Sequence, residues 1–312
     1  MALAKTLSSI PRATILHAAD SRRLCGFVQG HGMRLGAARF VAGETLDQCI
    51  AALRRLNDAG LHANTTLLGE ATLDEAGAAD VVAEYEQILE RLAAERLRAN
   101  VALKLTHLGL SLDEELAYTN IERLVAHAGR LGTFIRIDME QSEFVDATLR
   151  IYERLRGAGH ANVGTVLQSY LYRTPGDLER LLPLEPNLRI VKGAYLEPAE
   201  IALPEKRDVD AAYVQLVEHG LRAGAYIAVA TQDEEIIRQV QEFAVREGIA
   251  RERFEFQMLY GVRPALQRSI AAAGYKVLVA TPFGPDWYPY LMRRLAERPA
   301  NFFFFLKNLV RR

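Results

Sequence analysis

The chain has 312 residues, half of them hydrophobic and a quarter charged, with a formal net charge of −1. That length exceeds one small module and suits a single large α/β barrel. The charge balance argues against a nucleic-acid binder, which carries a basic excess, and the two cysteines, Cys25 and Cys49, lack disulfide-scaffold or metal-ligand spacing.

In chain order, residues 1–40 are irregular and read as an N-terminal helical arm ahead of a catalytic domain over 41–312. The opening MALAKTLSSIPRAT lacks the apolar core of a signal peptide. Gly30, Gly32 and Gly36 follow no convincing strand and have the wrong spacing for a dinucleotide fingerprint. Leu46, Cys49, Ile50 and Leu53 then recur at helical spacing, as do Ile121, Leu124, Val125 and Ala128 further on, and Val209, Ala212, Tyr213 and Leu216. Between such helices lie eight β-rich runs, from LHANTTLLGE and NVALKLTHLG through TFIRIDME, NVGTVLQSYL, LRIVKGAY, YIAVATQ and FEFQMLYG to YKVLVATPFG. Gly60, Gly132 and Gly274 read as helix stops. Eight alternating units without a linker predict a (β/α)8 barrel, with a doubly wound open sheet as the alternative. No apolar stretch is long enough to span a bilayer, so a soluble, cytoplasmic protein is expected. The Phe302–Leu306 run is expected either to pack on the barrel or to touch a membrane surface.

A barrel of this kind concentrates chemistry at the C-terminal ends of its strands. Those ends are polar here: Glu70, Lys104, Asp138 with Glu140 and Gln141, Gln168, Arg189 and Lys192, Thr231 and Gln232, and Gln257. Buried ions are costly unless paired or used, so the choice lies between an internal salt-bridge network and a functional ring. Beyond the eighth run, Tyr290, Arg293, Arg294 and Glu297 fall on one helical face. An exposed Arg293–Glu297 pair would account for that face; twin arginines also form a fork suited to a carboxylate. Gly193 in KGAY allows close backbone approach to a ligand or a tight turn.

LLGE (67–70), LKLTHLG (103–109), IDME (137–140), RIVKGAY (189–195), FEFQMLYG (254–261) and YLMRRLAERPAN (290–301), in this order, resemble the FAD-dependent proline dehydrogenases, and among them the short monofunctional bacterial enzymes. The resemblance implies an α/β fold, a distorted (β/α)8 TIM barrel with its last helix over the mouth. It implies oxidation of L-proline to 1-pyrroline-5-carboxylate by hydride transfer to flavin N5. A membrane quinone would take the electrons, and a pyrroline-5-carboxylate dehydrogenase would follow in proline catabolism.

Residue by residue, the resemblance implies that Lys104, Arg293 and Arg294 hold the substrate carboxylate and that Tyr195 and Leu259 wall the proline ring. Glu70 would pair with Arg293 as a gate. Asp138 matches the acidic catalytic position and would hold the lysine and neighbouring donors, while Arg189 would lie near flavin N5. Met139, Gln168, Lys192, Gly193, Ala194, Ala230 and Thr231 would contact FAD. Two positions depart from the pattern. Ala280 stands where the family often has a tyrosine, which implies weaker proline binding and better tolerance of 4-hydroxyproline. Gln232 replaces a usual flavin-contacting histidine and still donates a hydrogen bond. An aldolase using Lys104 or Lys192 as a Schiff base, or a non-catalytic flavin-binding barrel, are the competing readings.

Overall fold

The computed structural model describes residues 37–69 and 71–297, excepting the side chains of 293–297. Among the described residues a short 3-10 turn (Ala37–Arg39) leads to helix α1 (Leu46–Asp58), after which strands and helices alternate. The strands are β1 (His62–Leu67), β2 (Ala99–Leu103), β3 (Ile135–Ile137), β4 (Val163–Gln168), β5 (Asn187–Val191), β6 (Tyr226–Ala230), β7 (Phe254–Leu259) and β8 (Val277–Phe283). Helices α2 (Glu75–Ala94), α3 (Glu114–Arg130), α4 (Val145–Gly157), α5 (Thr174–Leu181), α6 (Lys206–Arg222), α7 (Glu234–Arg246) and α8 (Pro264–Ala272) lie between them, and α9 (Trp287–Glu297) follows β8.

All eight strands are parallel and pair in sequence order into a closed barrel. The seam joins β8 to β1, where His62 to Leu67 pair with Leu278 to Phe283. The eight predicted runs are these eight strands, and the open-sheet alternative is excluded by closure. Where the helices begin, Thr45, Asp74 and Asp113 accept hydrogen bonds from the amides of Gln48, Gly77 and Leu116. Gly60, Gly132 and Gly274, the predicted stops, take positive φ just beyond α1, α3 and α8.

Strand alternation sorts the interior into two environments. One set of positions packs outward against the helices in the apolar core, as Val101, Leu103, Ile135, Ile137, Leu188, Ile190, Ile227 and Val229 do. The other set faces the barrel axis and is polar: Asn64, Arg136, Arg189, Glu255 and Gln257. Arg136 is fully buried and donates from Nη1 to the carbonyls of Thr165 at 2.9 Å and Asn187 at 2.7 Å. Burial, and then the charge of Arg189, push its guanidinium down to about 10. Of the two cysteines, Cys49 is buried and its Sγ lies 3.2 Å from Thr65 Oγ1, whereas Cys25 lies outside the described residues.

Of the proposed arm, residues 1–36 lie outside the described part; Ala37 and Phe40 are buried. Trp287 anchors α9: it is wholly buried, and its Nε1 donates to Glu44 Oε1 at 2.8 Å. Among the described residues no helix is long and apolar enough to cross a membrane. The Phe302–Leu306 run lies outside them.

Two stability tests follow from this packing. A Cβ on Gly164 in β4 would press on Arg136 Nη1 and on the backbone carbonyl of Asn187 in β5, which cannot yield. Gly164→Ala is therefore expected to lower unfolding free energy by about 1–3 kcal/mol in urea titrations. Gly157→Ala, at the end of α4 with open space around it, should be neutral or stabilising by up to about 1 kcal/mol. The second test concerns His107, 7% exposed and edge-on to Tyr85, whose pKa is lowered to about 4 by burial and then by the charge of Lys104. Its neutral form belongs to the folded state, so the unfolded chain gains the proton first as pH falls. His107 should thus cost about 2 kcal/mol of stability between pH 7 and pH 5. His107→Gln should flatten that part of the stability–pH curve.

Candidate active site

The C-terminal ends of the strands surround a cavity of about 920 Å³. Strands β7, β8 and β2 bring Leu259, Ala280 and Lys104 to its wall, and the segment after β5 adds Ala194 and Tyr195. The opposite wall carries Gln168 from β4, Arg189, Lys192 and Gly193 at β5, and Ala230, Thr231 and Gln232 at β6. Asp138 and Met139, just beyond β3, complete the ring. All these residues named from sequence thus line one space. Tyr290, on the first turn of α9, lines it too, which places the last helix beside the mouth. Glu70 lies outside the described residues, as do the side chains of Arg293 and Arg294.

Arg189 is held in the cavity wall with its side chain 11% exposed. Its Nη2 pairs with Asp138 Oδ1, and its Nη1 donates to Gln257 Oε1 at 3.3 Å. Asp138 is expected from sequence to hold the lysine and neighbouring donors, and Arg189 is one such donor. Gln168 donates from Nε2 to the Glu140 carbonyl at 3.1 Å. Glu140 in turn accepts from the Thr106 amide at 3.2 Å and its hydroxyl at 2.6 Å. Burial raises the Glu140 carboxyl above the usual range, against the opposing pull of those hydrogen bonds and of Lys104.

Lys192 sits in a cluster that sequence reading did not anticipate. Its Nζ lies 2.5 Å from Asp210 Oδ1 on α6 and 3.4 Å from Asp233 Oδ2 before α7. Lys206 also pairs with Asp210 and lies 3.9 Å from Asp233. Two lysines therefore balance two carboxylates on the cavity rim. Gly193 has φ +109° and faces the ring of Tyr170 so closely that no Cβ would fit. The tight turn and the tyrosine both demand glycine there, whatever ligand approaches it.

Thr66, Tyr260, Arg263 and Phe40 also line the cavity and were not singled out from sequence. Thr66 follows Asn64 by two in β1 and shares its face, so strand alternation could have found it. Arg263, at the N-cap of α8, and Phe40 carry no local signal. A smaller cavity of about 280 Å³ adjoins the main one through Lys104, Tyr195 and Tyr290. Among the described residues no cluster of His, Cys, Asp and Glu has the arrangement of a metal site.

Comparison with known proteins places this geometry. The family model for proline dehydrogenase matches residues 49–305. The chain is 40% identical over 301 residues to proline dehydrogenase 1 of Bacillus subtilis subsp. natto, covering 96% of this chain and 99% of that one. It is 45% identical over 279 residues to the proline dehydrogenase of Deinococcus radiodurans, covering 88% and 90% respectively. The crystal structure of proline utilization A from Bdellovibrio bacteriovorus, inactivated by N-propargylglycine, shares the fold with a TM-score of 0.81 at 24% identity. That match covers 89% of this chain and 34% of the larger protein. The chain belongs to the proline dehydrogenase family, as an oxidoreductase resembling its short monofunctional members.

Proposed function

We propose that the protein oxidises L-proline to 1-pyrroline-5-carboxylate, with FAD as the bound oxidant and a membrane quinone as final acceptor. The product would pass to a pyrroline-5-carboxylate dehydrogenase. The observation that carries this reading is the meeting of Lys104, Asp138, Arg189 and Tyr195, from the ends of β2, β3 and β5, in one large cavity of a family barrel.

The residues fit a flavin. Gln168 Oε1, Gln232 Oε1 and Arg189 Nε are buried without a hydrogen-bond partner, and all three belong to cavity-lining side chains. A flat heteroaromatic ring edged with donors and acceptors is the kind of ligand such groups suit. Gln168, Arg189, Gly193, Ala194, Ala230, Thr231 and Gln232 would hold it, with Met139 and Lys192 beside them. When bound, FAD supplies the hydride acceptor.

The chain's own groups would do the rest. Lys104, with Arg293 and Arg294, would grip the substrate carboxylate and fix the ring's position, which lowers the entropic part of the barrier. Glu70 would pair with Arg293 when the mouth closes. A cationic pocket disfavours the ammonium form of the substrate, so proline would react as the free amine, whose lone pair drives hydride loss. Asp138 would keep Arg189 in place, and Arg189 would stabilise negative charge arising at the oxidant. Leu259 and Tyr195 would wall the ring and exclude water.

Two experiments test this. Anaerobic addition of L-proline to purified, flavin-loaded protein should bleach the flavin band at about 450 nm, and persistence of that band would sink the proposal. Ala280 lies mid-strand in β8, yet is partly exposed, with open cavity above it. The missing bulk should weaken proline binding and admit 4-hydroxyproline. Ala280→Tyr is expected to raise kcat/KM for proline relative to 4-hydroxyproline by about tenfold or more. An unchanged ratio would dispose of that assignment.

A further inference from the structure

The hydrogen bonds of Arg189 continue away from the cavity into the barrel. Gln257, 4% exposed, accepts from Arg189 and donates from Nε2 to Glu255 Oε1 at 2.7 Å. Glu255, 2% exposed, accepts on Oε2 from the Tyr226 hydroxyl at 2.7 Å and pairs there with Lys276 Nζ at 2.8 Å. Lys276 is 41% exposed, toward the opposite end of the barrel from the site. A polar column thus runs along the barrel axis, where aliphatic layers usually stand.

The chemistry of the column gives it a direction. A carboxylate only accepts hydrogen bonds and a guanidinium only donates them. An amide between the two satisfies both in one orientation alone: nitrogen toward Glu255, oxygen toward Arg189. Burial favours the neutral acid at Glu255, but Lys276, Gln257 and Tyr226 outweigh it and hold the carboxyl below its usual range. A carboxylate buried this deeply costs desolvation that its one half-exposed cation repays only in part, so the pair is a poor source of stability.

We propose that Glu255 is a positioning residue for Arg189: it locks the amide of Gln257 so that its oxygen faces the guanidinium, which fixes that cation in the cavity from outside it. The effect on catalysis rests on the flavin reading above; the effect on geometry does not. In Glu255→Gln, the new amide can donate to Gln257 Oε1, which turns the Gln257 amino group toward Arg189, donor against donor.

The test uses the full-length flavin-loaded protein. Glu255→Gln should lower kcat for proline between about 10- and 100-fold with little change in KM, as expected when a group is misplaced by about an ångström. The midpoint potential of the bound flavin should fall, because a cation beside it is less well held. Gln257→Leu should reproduce both changes, and the double variant should add little to either, since the two residues act in series. A Glu255→Gln protein that loses only thermal stability, with kcat and potential at wild-type values, would overturn the proposal, as would multiplicative losses in the double variant. Where Glu255→Gln does not fold, the charge-balanced pair Glu255→Met with Lys276→Met removes the same lock and carries the same expectations. Should wild-type protein fail to react with proline, the function falls but the lock remains testable. A crystal structure of the folded variant with Arg189 still bonded to Gln257 Oε1 would end it.

Discussion

The guanidinium of Arg189 is clamped between a carboxylate that follows β3 and an amide on β7, and the site is organised around that clamp. Its three members come from alternate strands, β3, β5 and β7. In a closed parallel barrel the side chains of one interior layer come from alternate strands, so these residues meet although 51 and 68 positions separate Arg189 from its two partners. The cation cannot drift toward bulk water without abandoning both partners in a poorly solvated space. The rest of the cavity can then be read by its distance from this fixed charge. Gln168, Lys192 and Ala230 lie on the β4–β6 side, while Lys104 and Ala280 lie across the mouth on β2 and β8.

Much of this arrangement was legible in the amino-acid order because two periods alternate cleanly. Runs such as LRIVKGAY place Leu188 and Ile190 outward and leave Arg189 on the other face, and only barrel closure gives that charge and the polar residues of other strands a common destination. The glycine stops were readable for a local reason, since helices end where positive φ is needed. What was not legible depends on helices meeting strand ends across large separations. The pairing of Lys192 with Asp210 and Asp233 joins β5 to α6 and α7, and no spacing rule announces it. Glu255 was visible in FEFQ, but its worth lies in a neighbour two residues away and in Tyr226 on the next strand. Gly193 read as a site for ligand approach or a tight turn; the turn is there, and Tyr170 adds a second requirement that no local pattern announces.

The rim combines these elements differently on its two sides. Near β5 and β6 the charges of Lys192, Lys206, Asp210 and Asp233 cancel one another. On the α9 side, control passes through Trp287, whose indole is bonded to Glu44 just ahead of α1. The helix beside the mouth is therefore tied at its root to the segment that begins the barrel. Any tilt of α9 must either pivot about that bond or carry α1 with it.

The seam between β1 and β8 has a consequence for biosynthesis. Helix α1 packs on both strands, so it is in place long before its second neighbour exists. Ribosomes add about 5–20 residues per second, so the more than two hundred residues between the partners take on the order of 10–40 s to emerge. Throughout that interval β1 offers a bare row of amides and carbonyls, the kind of edge that recruits stray strands. A translation product halted before Phe283 would stay open on that side, so in this chain closure of the barrel doubles as proof of complete synthesis through its eighth strand.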